Sequence, residues 1–404
     1  MIRTNEELKD VNTEVLDRLP QILGVDAREI LFIDIETTGL LPRYSDIYMI
    51  GAAYYDGANW KIKQLFSENA SQEEALLSAF SDFSRNFKVL VHYNGDKFDI
   101  PFLQTKYEEH KLSDPFERMK SLDLYKKVKC YKKQLALPDC KQKTVESFLG
   151  ITREDKYDGG KLIPIYEEYV KRGAPELLEL LLLHNYEDVQ GMLKLLPILK
   201  YDIFFSLFRN LPKVSVRTDG DINEEDYLTD SPDGGDAPVQ LPVRAVKVQA
   251  NKYRDLDGTE KKEVYMKLLL PMWLPVPITG NGDGCYFRVK GNEAVVRVPL
   301  FEEELKYFYS NYKDYYYLPH EDMAIHKSLA EFVDKGFKEK ARAANCYTRR
   351  QGQYLVEWDL VFSPFFKRDY EDKNIFFDLN ENMKKSRFGM SLYAAHVIAH
   401  ILDI

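Results

Sequence analysis

The chain is short of cysteine and of long apolar runs, and each shortage closes off a class of protein. Its four cysteines, Cys130, Cys140, Cys285 and Cys346, form no CxxC pair. That argues against zinc ribbons and a disulfide framework, and free thiols in a reducing cytoplasm are expected. The first ten residues, MIRTNEELKD, are too polar for the apolar core of a secretory signal. The most apolar later runs, 177–183 and 268–278, are too short or too broken by proline to span a bilayer, so no membrane association is expected. An excess of basic residues is missing too. The formal net charge of −9 argues against a protein that coats nucleic acid by bulk electrostatics. It does not exclude a nucleic-acid enzyme, because a carboxylate metal site adds negative charge that bound cations offset. No internal repeat and no low-complexity tract is present.

What is present is 404 residues with 45% hydrophobic and 30% charged side chains, enough for two or three globular domains. Residues 1–27 read as a lead-in segment with an amphipathic helix at 5–22. Residues 28–205 read as an α/β domain. Its β-rich runs at 30–35, 47–55, 59–66, 88–93 and 120–125 predict a mixed five-stranded sheet, with helices at 71–86, 98–111 and 175–195. Residues 206–238 form an acidic linker or loop, punctuated by proline and glycine. Residues 239–404 read as an α+β domain of unknown function, with strands near 240–250, 263–270, 284–289 and 293–298. Helices are expected there at 301–312, 321–343 and 389–402.

The chemistry concentrates in three blocks. In ILFIDIETTGL (30–40) an apolar strand delivers Asp34 and Glu36, two residues apart and therefore on one face. Two carboxylates on a buried strand are costly unless a cation neutralises them. In VLVHYNGDKFDIPFL a strand leads through Asn94 and Gly95 to Phe98 and to Asp99 in the first turn of a helix, where the helix dipole favours an acid. In LLLHNYEDVQGM, His184 and Asp188 are four apart and converge on one helical face. Four carboxylates and a histidine suit phosphodiester hydrolysis with two divalent ions. Hard oxygen donors select Mg2+ or Mn2+ rather than zinc. A neutral histidine alongside can take the proton of an attacking water.

The blocks DIETTGL, NGDKFD and HNYEDV resemble the motifs of the DEDD exonucleases on the ribonuclease H-like fold. With SLDLYKK, KTVESFLGI and KLIPIYEEYVKRG between them, the order is similar to that of the bacterial YprB-type domain over roughly residues 28–200. The resemblance implies a 3′–5′ exonuclease acting on the 3′ terminus of single-stranded DNA or RNA. It also implies Asp34 as the ligand shared by both metals, Glu36 and Asp188 on one, Asp99 on the other, and His184 as general base. Thr37, Thr38, Gly39 and Leu40 would abut the terminal nucleotide, with Asn94 and Phe98 beside them. One departure stands out: histidine-type members place the histidine five residues before the last aspartate, and here it is four. A nucleic-acid-binding or scaffolding module with weak or no turnover is the competing reading.

Other features read more plainly. Asp123 is expected as a structural hydrogen-bond partner, and Glu146 as a helix N-terminal acid near Thr144. Two basic, tyrosine-interleaved stretches, 118–133 and 335–354, carry the chemistry of strand contacts. His396 and His400 are expected to pack rather than to bind metal, since no acid sits between them.

Overall fold

In the computed structural model, residues 1–8, 13–155, 157, 159–230, 236–254 and 258–404 are described. The chain divides into two compact units, Met1–Asp202 and Ile203–Ile404.

The elements of the first unit are β1 (Ile2–Glu7), α1 (Thr13–Leu23), β2 (Ile30–Thr37), β3 (Ile47–Tyr55), β4 (Trp60–Phe66), α2 (Glu73–Ser84), β5 (Val89–His92), α3 (Asp99–Glu109), β6 (Lys120–Asp123), α4 (Leu124–Lys129), α5 (Gln142–Phe148), α6 (Gly159–Arg172) and α7 (Pro175–Leu195). One mixed sheet runs in the order β1-β4-β3-β2-β5-β6. β2, β5 and β6 are parallel, and the hairpin-linked strands are antiparallel. Alternation along β2 sorts its side chains between two cores. Ile30 and Phe32 pack with α1 and α7, whereas Leu31, Ile33 and Ile35 pack with α2 and α3. Asp34 and Glu36 continue the Ile30–Phe32 series and therefore face α7.

The sheet has six strands, one more than the five expected. The sixth, β1, lies where the sequence predicts the start of the lead-in helix, and the helix begins only at Thr13. β1 is an edge strand with polar outward residues, the composition that protects a sheet edge but gives little strand signal. Its pairing with β4, from Ile2↔Phe66 to Glu7↔Lys61, supplies what local propensity does not.

After α8 (Leu199–Arg209), the second unit carries β7 (Val216–Arg217), β8 (Leu228–Asp230), β9 (Asp236–Pro238), β10 (Arg244–Arg254), β11 (Glu260–Gly282), β12 (Cys285–Pro299), β13 (Phe301–Phe308), β14 (Tyr315–Leu318), β15 (Met323–His326), α9 (Lys327–Ala330), β16 (Glu339–Lys340), β17 (Tyr347–Glu357), β18 (Phe362–Ser363), β19 (Phe365–Phe366), β20 (Ile375–Asp378), α10 (Glu381–Lys385) and α11 (Arg387–Leu402). The helix expected at 301–312 is a strand. β13 pairs antiparallel with β17, and cross-strand bonds such as Gln353 Nε2 to Glu302 Oε1 (2.8 Å) hold residues that would otherwise favour helix. The helix expected at 321–343 resolves into β15, the one-turn α9 and β16. The strands expected at 284–289 and 293–298 are one continuous β12. The acidic 206–238 segment is not plain loop among its described residues: β7 pairs in parallel with β18. α11 packs on β10, β11 and β12 with most of its surface buried.

Candidate active site

All four candidate carboxylates line one cavity of about 630 Å³. β2 brings Asp34, Glu36 and Thr37, the Asn94–Phe98 turn and the start of α3 bring Asn94, Phe98 and Asp99, and α7 brings His184 and Asp188. Gly39 and Leu40 line the same space, and Leu40 is 79% exposed at its mouth. Thr38 does not line the cavity; its hydroxyl accepts a hydrogen bond from the Asp46 backbone N–H at 2.9 Å and closes the loop after β2. Thr37 likewise donates to the Gly39 carbonyl at 2.8 Å.

The Asn94–Asp99 turn is built by two buried side chains. The Asp123 carboxylate accepts from the Asn94 N–H at 2.8 Å and from the Tyr125 N–H at 3.0 Å, capping α4. Asn94 takes a positive φ of 64° there, which asparagine tolerates well. His92 Nδ1 receives the Gly95 N–H at 3.0 Å. Asp99 then reaches back to β2, where one carboxylate oxygen accepts from the Ile35 N–H at 3.2 Å.

α7 lies close against β2 and β3 because Gly51, paired with Asp34 across the sheet, has no side chain. A Cβ at Gly51 would lie 2.1 Å from the Asn185 side-chain oxygen and 2.8 Å from a Val189 methyl. In the space left, the Asn185 amide donates to Asp34 Oδ2 at 3.0 Å. His184 Nε2 lies 3.1 Å from Asp188 Oδ2 and 3.4 Å from Glu36 Oε1, and its Nδ1 lies 2.7 Å from Asp155 Oδ2. Asp155 in turn pairs with Lys143 at 2.9 Å. The other Asp188 oxygen pairs with Arg153, which also binds Glu146.

The electrostatics follow from this crowding. Burial, then the neighbouring charges of Asp188, Glu36 and Asp99, hold the Asp34 carboxyl well above its usual range. Burial pushes Glu36 up to about 8 against the opposing pull of His184, and pushes Asp99 up to about 7. Burial would raise Asp188 as well, but His184 and Arg153 hold it low. His184 is pushed up to about 9: burial opposes its charge, and Asp188, Glu36 and Asp155 outweigh burial. Three acids that resist ionisation, Glu36 and Asp99 buried and Asp34 half-buried, beside a fourth that is ionised form a site short of positive charge. Carboxylate oxygens are the donors that hard divalent ions prefer, so these residues fit such ions. Glu36, His184 and Asp188 also stand close enough together to share one ion.

The sequence left several neighbours unread. Asp155, Arg153 and Gly51 lie outside the three blocks, and Asn185 stands inside HNYEDV. Glu146 is no helix N-terminal acid: it is buried in the middle of α5 on Arg153, while Thr144 bonds Asp139. Asp123 is the structural partner expected of it. In the first basic stretch, Lys126 and Lys127 pair with Asp96 and Asp202, and Tyr125 lines the cavity. In the second, Arg349 pairs with Asp322, and Arg350 with Asp378 at 2.9 Å.

Residues 31–199 match the model of the RNase_H superfamily, RNase_H_2. With its mixed sheet and flanking helices, the N-terminal unit has a ribonuclease H-like fold. A comparison with curated proteins returns no match. Among solved structures, the family B DNA polymerase of Pyrobaculum calidifontis is 18% identical with a TM-score of 0.35, covering 44% of this chain and 25% of its own. Escherichia coli Exonuclease I in complex with a dT13 oligonucleotide is 14% identical with a TM-score of 0.30, covering 65% of this chain and 55% of its own. The chain thus spans less than two thirds of either, and at these scores neither likeness bears on the site. Among the described residues, no helix is long and apolar enough to cross a membrane.

Proposed function

We propose that the chain is a metal-dependent 3′–5′ exonuclease of the DEDD type, close to the YprB-type proteins, that hydrolyses terminal phosphodiester bonds of single-stranded DNA or RNA. One observation carries this reading: Asp34, Glu36, Asp99 and Asp188 meet from three separate elements at one cavity, with too little positive charge beside them. These four would hold two magnesium or manganese ions, which stabilise the charge that develops on the phosphoryl oxygens.

The remaining work falls to the chain. Asp155 fixes His184 through Nδ1 and leaves Nε2 toward the carboxylates. His184 is charged while those acids are uncompensated; once their field is neutralised, the imidazole falls back toward the range in which it accepts protons near neutrality. It then takes the proton from the water that attacks the terminal phosphorus. The new P–O bond forms as the bond to the 3′ oxygen of the preceding nucleotide breaks, and a nucleoside 5′-monophosphate leaves. Leu40, exposed at the mouth, and Phe98 contact the terminal nucleotide, and the Gly39 backbone lies alongside.

The test is shortening of a 5′-labelled oligonucleotide with a free 3′ end in magnesium or manganese. Cleavage by wild type that is absent from Asp34→Ala and from chelated protein supports the reading. Equal behaviour of wild type and Asp34→Ala on DNA and RNA, single- and double-stranded, overturns it.

A further inference from the structure

The C-terminal unit holds a cavity of its own, of about 700 Å³, lined by the chain around Pro212, the end of β17 and one face of α11. Nothing about it depends on the nuclease reading. Two buried polar atoms on its wall have no hydrogen-bond partner among the described residues, Glu357 Oε1 and His396 Nε2. Glu357 is only 4% exposed. Its Oε2 accepts the Val361 and Phe362 N–H groups at 3.3 and 3.0 Å, which closes the turn after β17 and leaves Oε1 unmatched. An unmatched buried polar atom costs about 1–3 kcal/mol, and two on residues that line one cavity mark a place where a ligand can supply the partners.

The chemistry of that ligand follows from the wall. Burial pushes Glu357 up to about 8, so at neutral pH it is a protonated acid able to donate from Oε1. Burial holds His396 below its usual range although Asp359 opposes this, so its imidazole is neutral and offers one acceptor. Trp358 adds flat aromatic surface, one side of it stacked on His400 at 3.8 Å, while the Phe362 and Tyr393 rings are fully buried. Two cations, Arg209 and Lys213, and two acids, Asp359 and Asp403, line the same space and balance one another, which favours a neutral ligand over an ion. A volume of this size falls in the usual range for small-ligand sites.

We propose that this cavity binds a nucleobase, a neutral planar heterocycle that presents an acceptor to Glu357 and a donor to His396. The base comes either from a free nucleoside or from an unpaired position in a strand.

The experiment uses the full chain in EDTA, titrated with adenosine, guanosine, cytidine and uridine while tryptophan fluorescence is followed. The expected result is saturable quenching by at least one nucleoside, absent in Trp358→Phe. His396→Phe should weaken binding about tenfold or more, the loss of one buried hydrogen bond. His396→Gln, which keeps a polar group on that wall, should recover part of it. Glu357→Gln, which keeps a donor at the Oε1 position, should bind within about threefold of wild type. A competing pentanucleotide identifies the strand as the source if it displaces the nucleoside and its abasic counterpart does not; failure of both to displace identifies the free nucleoside. No saturable quenching by any nucleoside, or unchanged affinity in both His396 variants, overturns the proposal.

Discussion

The two units use charge in opposite ways. On the C-terminal sheets, acids and bases pair diagonally across neighbouring strands, as in Glu263 with Arg297 (2.9 Å), Glu293 with Lys267 (2.8 Å) and Glu260 with Lys252 (2.7 Å). Apart from the buried Glu263, the members of these pairs are partly or largely exposed, and such pairs contribute little each. In the N-terminal unit, acids gather with acids at the end of β2, where water is scarce, and His184 and Arg153 answer them only in part. Paired surface charge asks nothing of a ligand. Like charges held together in a buried cleft weaken the fold that holds them, and such an arrangement points to a cation that arrives later.

Several experiments would break or sharpen that contrast. The largest effect should come from Asp34→Ala, with loss of 3′-end cleavage while the C-terminal strands keep their hydrogen-exchange protection. His184→Ala should lower the single-turnover rate by ~10²–10⁴-fold. Glu357, the buried acid of the other unit, should report through stability. Its folded pKa lies near 8, above the ordinary value of 4.5, so its contribution is complete below pH 4.5 and is lost as pH rises toward 8. Wild type should therefore lose stability against Glu357→Gln across that window, by on the order of a few kcal/mol, in denaturant melts at a series of pH values. Magnesium or manganese should stabilise β2 against exchange by about 2.7 kcal/mol at a hundredfold excess over its dissociation constant, and should leave β11 unchanged. Equal protection of both strands would remove the electrostatic distinction between the units. The smallest effect is expected of Asp155→Asn, which loosens His184 without removing it: a fall of about tenfold in rate.

Legibility followed the same division. The N-terminal strands announced themselves because β2, β3 and β5 are buried and rich in β-branched and aromatic residues, and α7 because its apolar stripe holds the helical period for 21 residues. The five candidate residues could be read because each sits at a fixed offset within a short block. β1 could not, since its place depends on β4, some 60 residues away. Arg153 and Asp155 were hidden for the same reason: their partners Glu146, Asp188 and His184 come from other elements, and no local spacing records such a meeting. In the C-terminal unit, β13 carries the Glu- and Lys-rich composition of a helix, and only its register with β17 makes it a strand. That unit does combine sheets with helices, as its sequence predicts, but its elements from 301 to 343 are mainly strands where helices are expected.

Gly51 carries no functional group and lies on the strand next to the one that bears Asp34. Yet the separation of sheet and helix at that point sets how far the acid on one side stands from the histidine and aspartate on the other. One added methyl would act as a spacer, widening the gap across which the reacting groups must cooperate while leaving each of them chemically intact. A position of this kind controls turnover through distance alone, and a gradual series at residue 51, glycine to alanine to serine, would measure how steeply the chemistry depends on that distance.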